Sequence, residues 1–274
     1  MLSVVLILIS LVILYFVAIM PRMRQRPSKS KLKGWHYAHR GLHDNETEAP
    51  ENSMAAFKKA VDAGYGIELD VQLTKDRIPV VFHDETLKRV CGVEGNVRDY
   101  TYEQLQGFFL CNSREKIPKF ENALKMINGR IPMIVEIKIH ENANVVCKEV
   151  DKVLSEYHGV YCIESFHPFA VNWYKLHRPN IVRGQLSSNF VKEGRPRRTD
   201  ETLVHYLLTN FICKPDFIAY NHRSKNNISR LICRHFYRAL SVAWTIRSQE
   251  ELDAAKNDFD LFIFEGFMPE RPKK

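Results

Sequence analysis

None of the six cysteines in this 274-residue chain belongs to a C-x-x-C pair, and none has the spacing of a zinc finger. The sequence also has no internal repeat and no low-complexity tract. In a chain of this length, isolated cysteines are typical of free thiols in a reducing compartment. These absences argue against a disulfide-rich or zinc-finger protein and leave a folded chain long enough for a large core.

Charge is absent from residues 2–20, a run long enough to cross a bilayer as one helix. Acidic residues are absent from residues 21–33, which carry six basic residues: Arg22, Arg24, Arg26, Lys29, Lys31 and Lys33. A secretory signal peptide would have its basic residues before the apolar run and small residues after it. We therefore expect an uncleaved transmembrane anchor at residues 1–20 and a basic juxtamembrane linker at residues 21–33. A cleaved signal peptide is the alternative.

The position of these basic residues also predicts how the chain is oriented across the membrane. Basic residues that flank a span stay on the cytoplasmic side, so we expect a single-pass protein of the cell membrane with residues 34–274 in the cytoplasm. The chain has 40 Lys and Arg against 32 Asp and Glu, and subtracting the six linker cations leaves 34 against 32. Positive charge is concentrated where it attracts anionic lipid, so we expect a membrane partner and no nucleic acid.

From residue 35 onward, apolar strand candidates alternate with segments of helical period. The strand candidates are residues 35–39, 66–73, 133–139, 160–166, 181–186, 217–221, 240–246 and 261–265. The helix candidates are residues 53–63, 142–157, 168–177, 201–211, 227–237 and 248–256. This alternation indicates an α/β fold with a parallel sheet, and eight strands in about 240 residues favour a closed (β/α)8 barrel. An open doubly wound sheet is the alternative.

One region interrupts the alternation. Residues 78–83 have the pattern of a strand that returns along residues 66–73, which predicts an extra β-hairpin after the second strand. Residues 84–130 then form an insertion before the next barrel strand. Long insertions often shape a functional site, so this one is a candidate for that role.

Most polar exceptions in the apolar runs fall at their carboxyl ends, where (β/α)8 barrels hold their active sites. Glu68 and Asp70 share one face of their strand because side chains at i and i+2 do, and so do Glu136 and Lys138. Two carboxylates on one face of a buried strand repel each other unless a cation lies between them. Together with Glu136 they offer three hard oxygen ligands, which suit Mg²⁺ or Ca²⁺.

The other polar residues at these ends suit acid–base chemistry on an anion. His39 and His83 can transfer protons, and Arg40 and Lys138 supply fixed positive charge for a phosphate. Trp244 is a candidate substrate contact. Simpler interpretations remain open: the carboxylates could pair with barrel cations in a structural network, the E-x-K motif could be a plain ion pair, and Trp244 could be a core residue.

Five motifs follow one another in a fixed order: His39-Arg40-Gly41, Pro50-Glu51-Asn52-Ser53, Glu68-x-Asp70, His83-Asp84 and Glu136-x-Lys138. Residues 37–105 and the later E-x-K resemble the opening of the glycerophosphodiester phosphodiesterases, whose pattern is HRG, PEN(T/S), E-x-D, HD and E-x-K. From residue 160 onward, the likeness is limited to ESF, GQL and VAWTI. The chain is identified from these motifs as a membrane-anchored member of that family.

The resemblance implies a TIM barrel with three ligands for a divalent metal, Glu68, Asp70 and Glu136. It also implies an acid–base pair, His39 and His83, and two phosphate-binding cations, Arg40 and Lys138. In the family chemistry, the substrate's neighbouring hydroxyl attacks phosphorus while one histidine takes its proton and the other protonates the leaving alcohol. Opening of the cyclic phosphate by water then gives sn-glycerol 3-phosphate and an alcohol.

The resemblance leaves the exact substrate open. It implies a glycerophosphodiester or a lysophospholipid. The alternatives are a phospholipase D-like enzyme acting on intact or sphingosine-based phospholipids, and a non-catalytic barrel that binds a phospholipid. Residues 84–130 and 187–200, which line the head-group side, match the family pattern poorly. Glu265 stands where the family often has an aspartate, and Asp76-Arg77 stands where it usually has Asp-Gly.

Overall fold

The structure is a computed structural model that describes residues 1–196 and 198–270. Its strands are β1 (His36–His39), β2 (Gly66–Leu73), β3 (Pro79–Val81), β4 (Met133–Ile137), β5 (Tyr161–Ser165), β6 (Arg183–Ser187), β7 (Phe217–Asn221), β8 (Leu240–Ile246) and β9 (Leu261–Phe264). Its α-helices are α1 (Leu2–Ile19), α2 (Met54–Ala63), α3 (Lys88–Cys91), α4 (Tyr102–Leu105), α5 (Phe120–Ile127), α6 (Ala143–Ser155), α7 (Pro168–His177), α8 (Thr199–His205), α9 (Asn210–Cys213), α10 (Ile228–His235) and α11 (Gln249–Ala255). Residues 271–274, the end of the predicted barrel domain, lie outside the described residues.

Eight parallel strands close into a barrel. β1 pairs in parallel with β2 on one side and with β9 on the other, which joins the two ends of the sheet. The strands follow the order β1-β9-β8-β7-β6-β5-β4-β2 around the barrel. The predicted (β/α)8 barrel is therefore confirmed, and the open doubly wound sheet is excluded.

Successive side chains along each strand point to opposite faces of the sheet, and the two faces contact two separate apolar regions. Ile67 and Leu69 of β2 belong to the large core between the strands and the surrounding helices. The opposite faces of the strands point into the barrel, where Tyr37, Ile134 and Phe217 form an apolar cluster near the amino-terminal ends. The carboxyl ends of the strands, which we call the mouth, carry the polar residues.

The predicted hairpin is present, since β3 pairs antiparallel with β2 and Val81 lies opposite Val71. The segment that follows has its own small core, to which Phe82 belongs. The insertion ends earlier than its predicted limit at residue 130. Helix α5 packs on α2 and buries an apolar face in the main core, so it is the regular barrel helix between β2 and β4.

Helix α1 is the one helix in the described part of the chain that is long and apolar enough to cross a membrane, with a mean hydropathy of 3.1. An N-terminal signal sequence would share this length and composition. Most of α1 is exposed, but its last turn contacts the barrel. Ile19 is fully buried in the main core, and the Tyr15 hydroxyl lies 2.7 Å from Ser229 Oγ.

The last turn of α1 packs across α10. Tyr15 meets Ser229 in the first turn of α10, and the Ile19 carbonyl accepts a hydrogen bond from the Cys233 thiol one turn further along, at 3.3 Å. Helix α10 leads from the carboxyl end of β7 to the amino-terminal end of β8. Phe16, the residue after Tyr15, packs against Phe236 at the other end of α10 with 5.5 Å between ring centres, so the last turn of α1 crosses α10 and contacts both of its ends.

The predicted linker lies along the amino-terminal end of the barrel. The Arg22 N–H donates to the Pro215 carbonyl at 2.9 Å, and the Lys29 ammonium donates to the Asp216 carbonyl at 3.2 Å. Leu32 enters the apolar cluster inside the barrel. Residues 20–33, which we call the strap, thus connect α1 to the barrel through fixed contacts rather than as a free basic segment.

Candidate active site

Three carboxylates converge at the carboxyl ends of β2 and β4. Glu68, Asp70 and Glu136 each offer one oxygen atom, and these three atoms lie within 4.8 Å of one another. All three side chains are buried, Asp70 completely. The register explains this convergence, because Asp70 lies directly opposite Glu136 and Glu68 shares the face of Asp70.

Burial and mutual repulsion oppose the ionisation of this group. Burial, with the charges of Asp70 and Glu136, raises the pKa of Glu68 well above its ordinary value. Burial also raises the pKa of Glu136, although Lys138 works in the other direction. Burial opposes ionisation of Asp70 too, but the charges of Lys138 and Arg40 hold its pKa well below the ordinary range.

Lys138 partly compensates the three carboxylates. Its ammonium lies 2.9 Å from Asp70 Oδ1 and 2.6 Å from Glu136 Oε1. Burial opposes the charge on Lys138, yet these two carboxylates raise its pKa above the usual value. The structural-network interpretation therefore accounts for Asp70 and Glu136.

Glu68 remains short of positive charge. Its contacts within the described residues are the Arg40 backbone N–H at 3.0 Å and His39 Nε2 at 3.9 Å. Three clustered carboxylates with this deficit of positive charge fit a hard divalent cation such as Mg²⁺ or Ca²⁺. The donor set therefore suits the predicted metal.

The turn after β1 aims Arg40 at two carboxylates. Its guanidinium donates to Glu51 Oε1 at 2.7 Å and lies 3.5 Å from Asp70 Oδ2. Gly41 follows with a φ of +83°, and a Cβ at that position would come within 2.9 Å of the Ala56 backbone. The HRG motif therefore combines a cation with the glycine that lets the turn approach α2.

The PENS motif has two functions in the structure. Ser53 caps α2, since its side chain accepts a hydrogen bond from the Ala56 N–H at 3.0 Å, as its residue type predicts. Asn52 donates its amide to Asp70 Oδ2 at 2.8 Å. This second contact joins side chains 18 residues apart, and such a contact leaves no local pattern in the sequence.

Each histidine has its Nδ1 atom bound to a carboxylate. His39 Nδ1 lies 2.6 Å from Glu265 Oε2, and His83 Nδ1 lies 2.6 Å from Asp84 Oδ1. Burial and the charge of Arg40 lower the pKa of His39 to about 4, which keeps its ring neutral at pH 7. Burial opposes ionisation of Glu265, but the hydrogen bond with His39 lowers its pKa to about 2. A neutral His39 that donates Nδ1–H to Glu265 has a free electron pair on Nε2.

Arg89 links the two halves of the site, and sequence analysis missed it. Its guanidinium donates to Asp84 Oδ2 at 2.6 Å and to both oxygens of Glu51 at 2.7 Å. Glu51 in turn accepts from Arg40, so one chain of contacts runs from His83 to Arg40. Arg89 belongs to α3 in the insertion, where neither a motif nor a periodicity singled it out.

Two further residues at the mouth, Glu164 and Trp244, stand outside the carboxylate triad. Glu164 lies opposite Glu136 on β5 and is buried, and burial together with the charge of Glu136 raises its pKa well above the ordinary value. Trp244 packs edge-on against Phe166 at 5.6 Å, and its indole N–H has no hydrogen-bond partner within residues 1–196 and 198–270. Its role as a substrate contact stays a prediction.

Comparison with known proteins now identifies the family. The model of the glycerophosphoryl diester phosphodiesterase family matches residues 39–258, a span that contains all eight predicted site residues. The chain belongs to this family. The resemblance of its five motifs is therefore confirmed.

Relatives match parts of this family member. A glycerophosphodiester phosphodiesterase of Bacillus altitudinis is 41% identical over 110 residues, which cover 38% of this chain and 44% of that protein. A human lysophospholipase D is 32% identical over 150 residues, which cover 50% of this chain and 46% of that protein. The chain thus matches less than half the length of either relative.

The barrel also resembles solved structures. A phosphodiesterase of Oleispira antarctica, solved in complex with the product sn-glycerol-3-phosphate, superposes with a TM-score of 0.68 at 22% sequence identity. The similarity covers 85% of this chain and 93% of that one. At this level of identity the comparison shows a shared fold.

Proposed function

We propose that this protein hydrolyses glycerophosphodiesters to sn-glycerol 3-phosphate and an alcohol, with the help of a divalent cation. The observation that carries the proposal is the convergence of Glu68, Asp70 and Glu136 within 4.8 Å, in a member of the glycerophosphoryl diester phosphodiesterase family. Two histidines, each oriented by a carboxylate, stand at the same end of the barrel.

The three carboxylates would hold the cation. Mg²⁺ or Ca²⁺ bound there would offset the charge of the phosphodiester and favour ionisation of the attacking hydroxyl. The raised pKa values of Glu68 and Glu136 couple metal binding to the release of protons, because the ligands must be ionised. Arg40 and Lys138 provide the remaining positive charge for the phosphate.

His39 acts as the general base in this proposal. Its ring is neutral at pH 7, and Nε2 is free because Nδ1–H is donated to Glu265. Nε2 takes the proton of the substrate's neighbouring hydroxyl as that oxygen forms a bond to phosphorus. Glu265 then stabilises the positive charge on the ring.

His83 acts as the general acid. It gives a proton to the leaving alcohol as the bond between that oxygen and phosphorus breaks, and Asp84 stabilises the protonated ring before the transfer. In the second step, His83 takes a proton from water as the water attacks the cyclic phosphate. His39 returns its proton to the ring oxygen that leaves, which restores both histidines.

The test uses the full chain in detergent with glycerophosphocholine as substrate and measures the release of glycerol 3-phosphate. Because each histidine moves a proton, His39→Ala and His83→Ala should each lower kcat by about 10²–10⁴-fold. A strong chelator should abolish turnover, and Mg²⁺ or Ca²⁺ should restore it. His158→Ala, at an exposed position between α6 and β5, is the matched control.

Turnover that persists in chelator would contradict the role of the metal. Turnover that survives both histidine substitutions would contradict the acid–base assignment. No turnover in the wild-type chain, with binding of the substrate retained, would favour the non-catalytic barrel.

We also propose that α1 is an uncleaved anchor in the cell membrane and that the barrel is cytoplasmic. The contacts of Phe16, in addition to those of Ile19, support retention of α1. The Phe16 ring lies 5.5 Å from the Phe236 ring, and the Tyr237 hydroxyl donates to the Phe16 carbonyl at 2.9 Å. Cleavage after α1 would remove these contacts and expose the apolar surface beneath them. The basic strap favours the cytoplasmic orientation.

Labelling with an impermeant maleimide tests this orientation. A cysteine introduced by Lys59→Cys, on the exposed face of α2, should react only after cells are permeabilised. Ser3→Cys, at the other end of α1, should react in intact cells. Burial raises the pKa of the half-buried Cys91 thiol to about 12, so this native thiol should react slowly. Labelling of Lys59→Cys in intact cells would reverse the proposed topology.

A further inference from the structure

A second group of metal-binding side chains lies at the mouth beside the carboxylate triad. His39, His43 and Glu265 each offer one ligand atom, and these three atoms lie within 4.8 Å of one another. His39 ends β1, His43 lies in the loop that follows, and Glu265 comes directly after β9. Because β1 and β9 are paired, closure of the barrel brings the three residues together. We call this group the histidine cluster.

His43 is the member of the histidine cluster whose side chain lacks a partner. Both of its ring nitrogen atoms are buried, and neither makes a hydrogen bond in the described part of the chain. A buried polar atom without a partner is costly, because it has lost its hydrogen bonds to water. Burial also lowers the pKa of His43, so its ring is neutral at pH 7 and has an electron pair to share. A bound cation would supply the missing partner.

The backbone on both sides of His43 is fixed. The Leu42 N–H donates to the Ala56 carbonyl of α2 at 3.1 Å. The Asp44 N–H donates to the Ala49 carbonyl at 2.9 Å. The imidazole is therefore held near His39 and Glu265 before any cation binds, which reduces the entropy lost on binding.

The donor atoms of the two groups favour different cations. The three carboxylates of the triad suit hard ions such as Mg²⁺ and Ca²⁺. Two imidazole nitrogens and one carboxylate oxygen are ligands of Zn²⁺, which often has three protein ligands and one open position. A tetrahedral Zn²⁺ with bonds of about 2.0–2.2 Å places its ligands roughly 3.4 Å apart. Since the ligand atoms already lie within 4.8 Å of one another, small side-chain rotations suffice to form the site.

A cation in the histidine cluster would change the state of His39. Its Nδ1 atom lies 2.6 Å from Glu265 Oε2, so a cation bound to both atoms takes the place of the proton between them. The ring stays neutral when that proton moves to Nε2. Nε2 lies 3.9 Å from Glu68 Oε2, at the edge of the triad. Once it carries a hydrogen, it has no electron pair to accept the proton of the substrate hydroxyl.

We propose that His39, His43 and Glu265 bind Zn²⁺, and that the bound ion stops turnover because it holds His39 in the tautomer that cannot act as a base. The inhibition rests on the proposed phosphodiesterase function, whereas the binding of Zn²⁺ does not. The mouth thus has two cation sites, one of carboxylates that supports turnover and one with imidazoles that blocks it.

The binding experiment uses the full chain in detergent, without a histidine tag and with Mg²⁺ in excess. Co²⁺ is the visible probe: it should bind with the absorption bands of an ion that has nitrogen ligands, and Zn²⁺ should displace it. His43→Ala and His43→Gln each remove a ligand and should raise the dissociation constant about tenfold or more. His158→Ala, at an exposed histidine, and Glu136→Gln, in the triad, should leave it unchanged.

The kinetic experiment measures hydrolysis of glycerophosphocholine in saturating Mg²⁺. Each variant is compared with itself, as the ratio of its rates with and without Zn²⁺. Zn²⁺ at about ten times the wild-type dissociation constant should lower the wild-type rate about tenfold. The rate of His43→Ala should fall by about half or less, and His158→Ala should respond as the wild type does. A chelator selective for transition ions over Mg²⁺ should restore the wild-type rate.

The outcomes separate the two proposals. Co²⁺ binding that depends on His43, in a chain without turnover, would preserve the zinc site and overturn the phosphodiesterase function. Equal Co²⁺ binding by His43→Ala and the wild type would overturn the zinc site, and the phosphodiesterase function would stand. Turnover that persists in a chain with Zn²⁺ bound through His43 would overturn the inhibition.

Discussion

Three barrel strands carry two different kinds of side chain on their inner face. The residue nearer the amino-terminal end is apolar or weakly polar, and the residue two positions later is a histidine or a glutamate. The pairs are Tyr37 and His39 on β1, Ile134 and Glu136 on β4, and Cys162 and Glu164 on β5. Both members of each pair face the barrel interior, because side chains at i and i+2 share a face. The amino-terminal layer is consequently apolar and the layer at the mouth is ionisable.

The two layers contribute to stability in opposite ways. In the amino-terminal layer, buried apolar area stabilises the fold, and Leu32 of the strap adds to it. At the mouth, burial raises the pKa values of Glu68, Glu136 and Glu164, which means that their charged forms are destabilising there. Stability and chemistry are thus assigned to different ends of the same strands, and substitutions should separate them.

The largest expected effect is that of Glu68→Gln on turnover. In the proposed mechanism, a cation held by Glu68 would supply several kcal/mol of charge stabilisation in the transition state, so we expect kcat to fall about 1,000-fold or more. The same change removes a buried charge whose pKa is raised, so the free energy of unfolding without divalent metal should increase. Chemical denaturation in chelator and initial-rate assays measure the two quantities. Unchanged turnover would show that Glu68 is not a metal ligand.

The amino-terminal layer should respond in the opposite way. Phe217 is buried, and its ring fills the space beside Gly184, where a Cβ would come within 2.1 Å of it. Phe217→Ala should lower the free energy of unfolding by about 3–5 kcal/mol and leave the kcat of the folded fraction unchanged. Phe211→Ala, at an exposed position of α9, is the matched control, with an expected change within about 0.5 kcal/mol. A comparable loss in both variants would contradict the assignment of stability to the amino-terminal layer.

The smallest expected effect is a pH dependence that arises at the mouth. Burial opposes ionisation of Glu51, but hydrogen bonds from Arg89 and the charge of Arg40 lower its pKa to about 2, from an ordinary value of 4.5. Its contribution to stability is therefore complete above about pH 4.5 and is lost as the pH falls towards 2. We expect a loss on the order of 3 kcal/mol at most in the wild-type protein.

Glu51→Gln provides the comparison for this pH dependence. Its free energy of unfolding should be lower at neutral pH and should fall less steeply between pH 4.5 and 2. Urea unfolding across that pH range measures both slopes. Equal slopes in the two proteins would assign the acid sensitivity to other carboxylates.

Much of the fold could be predicted because its signals are local. The predicted bounds of β2, β7 and β8 agree with the structure, since polar residues of the next turn follow each strand directly. Strand β4 ends at residue 137 rather than at the predicted 139, although the Lys138 N–H still donates to the Val71 carbonyl of β2 at 2.9 Å. The end of the insertion was also misplaced, since the amphipathic pattern of α5 does not reveal which core it joins.

The residues of the candidate site also divide into those that sequence patterns could predict and those that they could not. The carboxylates of the triad could be predicted from their spacing and from the family motifs, and the register of β2 and β4 brings them together. The contacts of Arg89 and the pair formed by His39 and Glu265 could not. That pair joins residues 226 positions apart, and neither residue carries a local mark of the other.

The sequence by itself determined the alternation of strands and helices, the apolar span and the residues of the five motifs, because these depend on neighbouring side chains. Only the tertiary structure decided how the barrel closes, how the strap crosses its amino-terminal end and how the last turn of α1 packs on α10. These features depend on contacts between distant segments such as Tyr15 and Ser229, and their free energy exists only when the whole chain is folded.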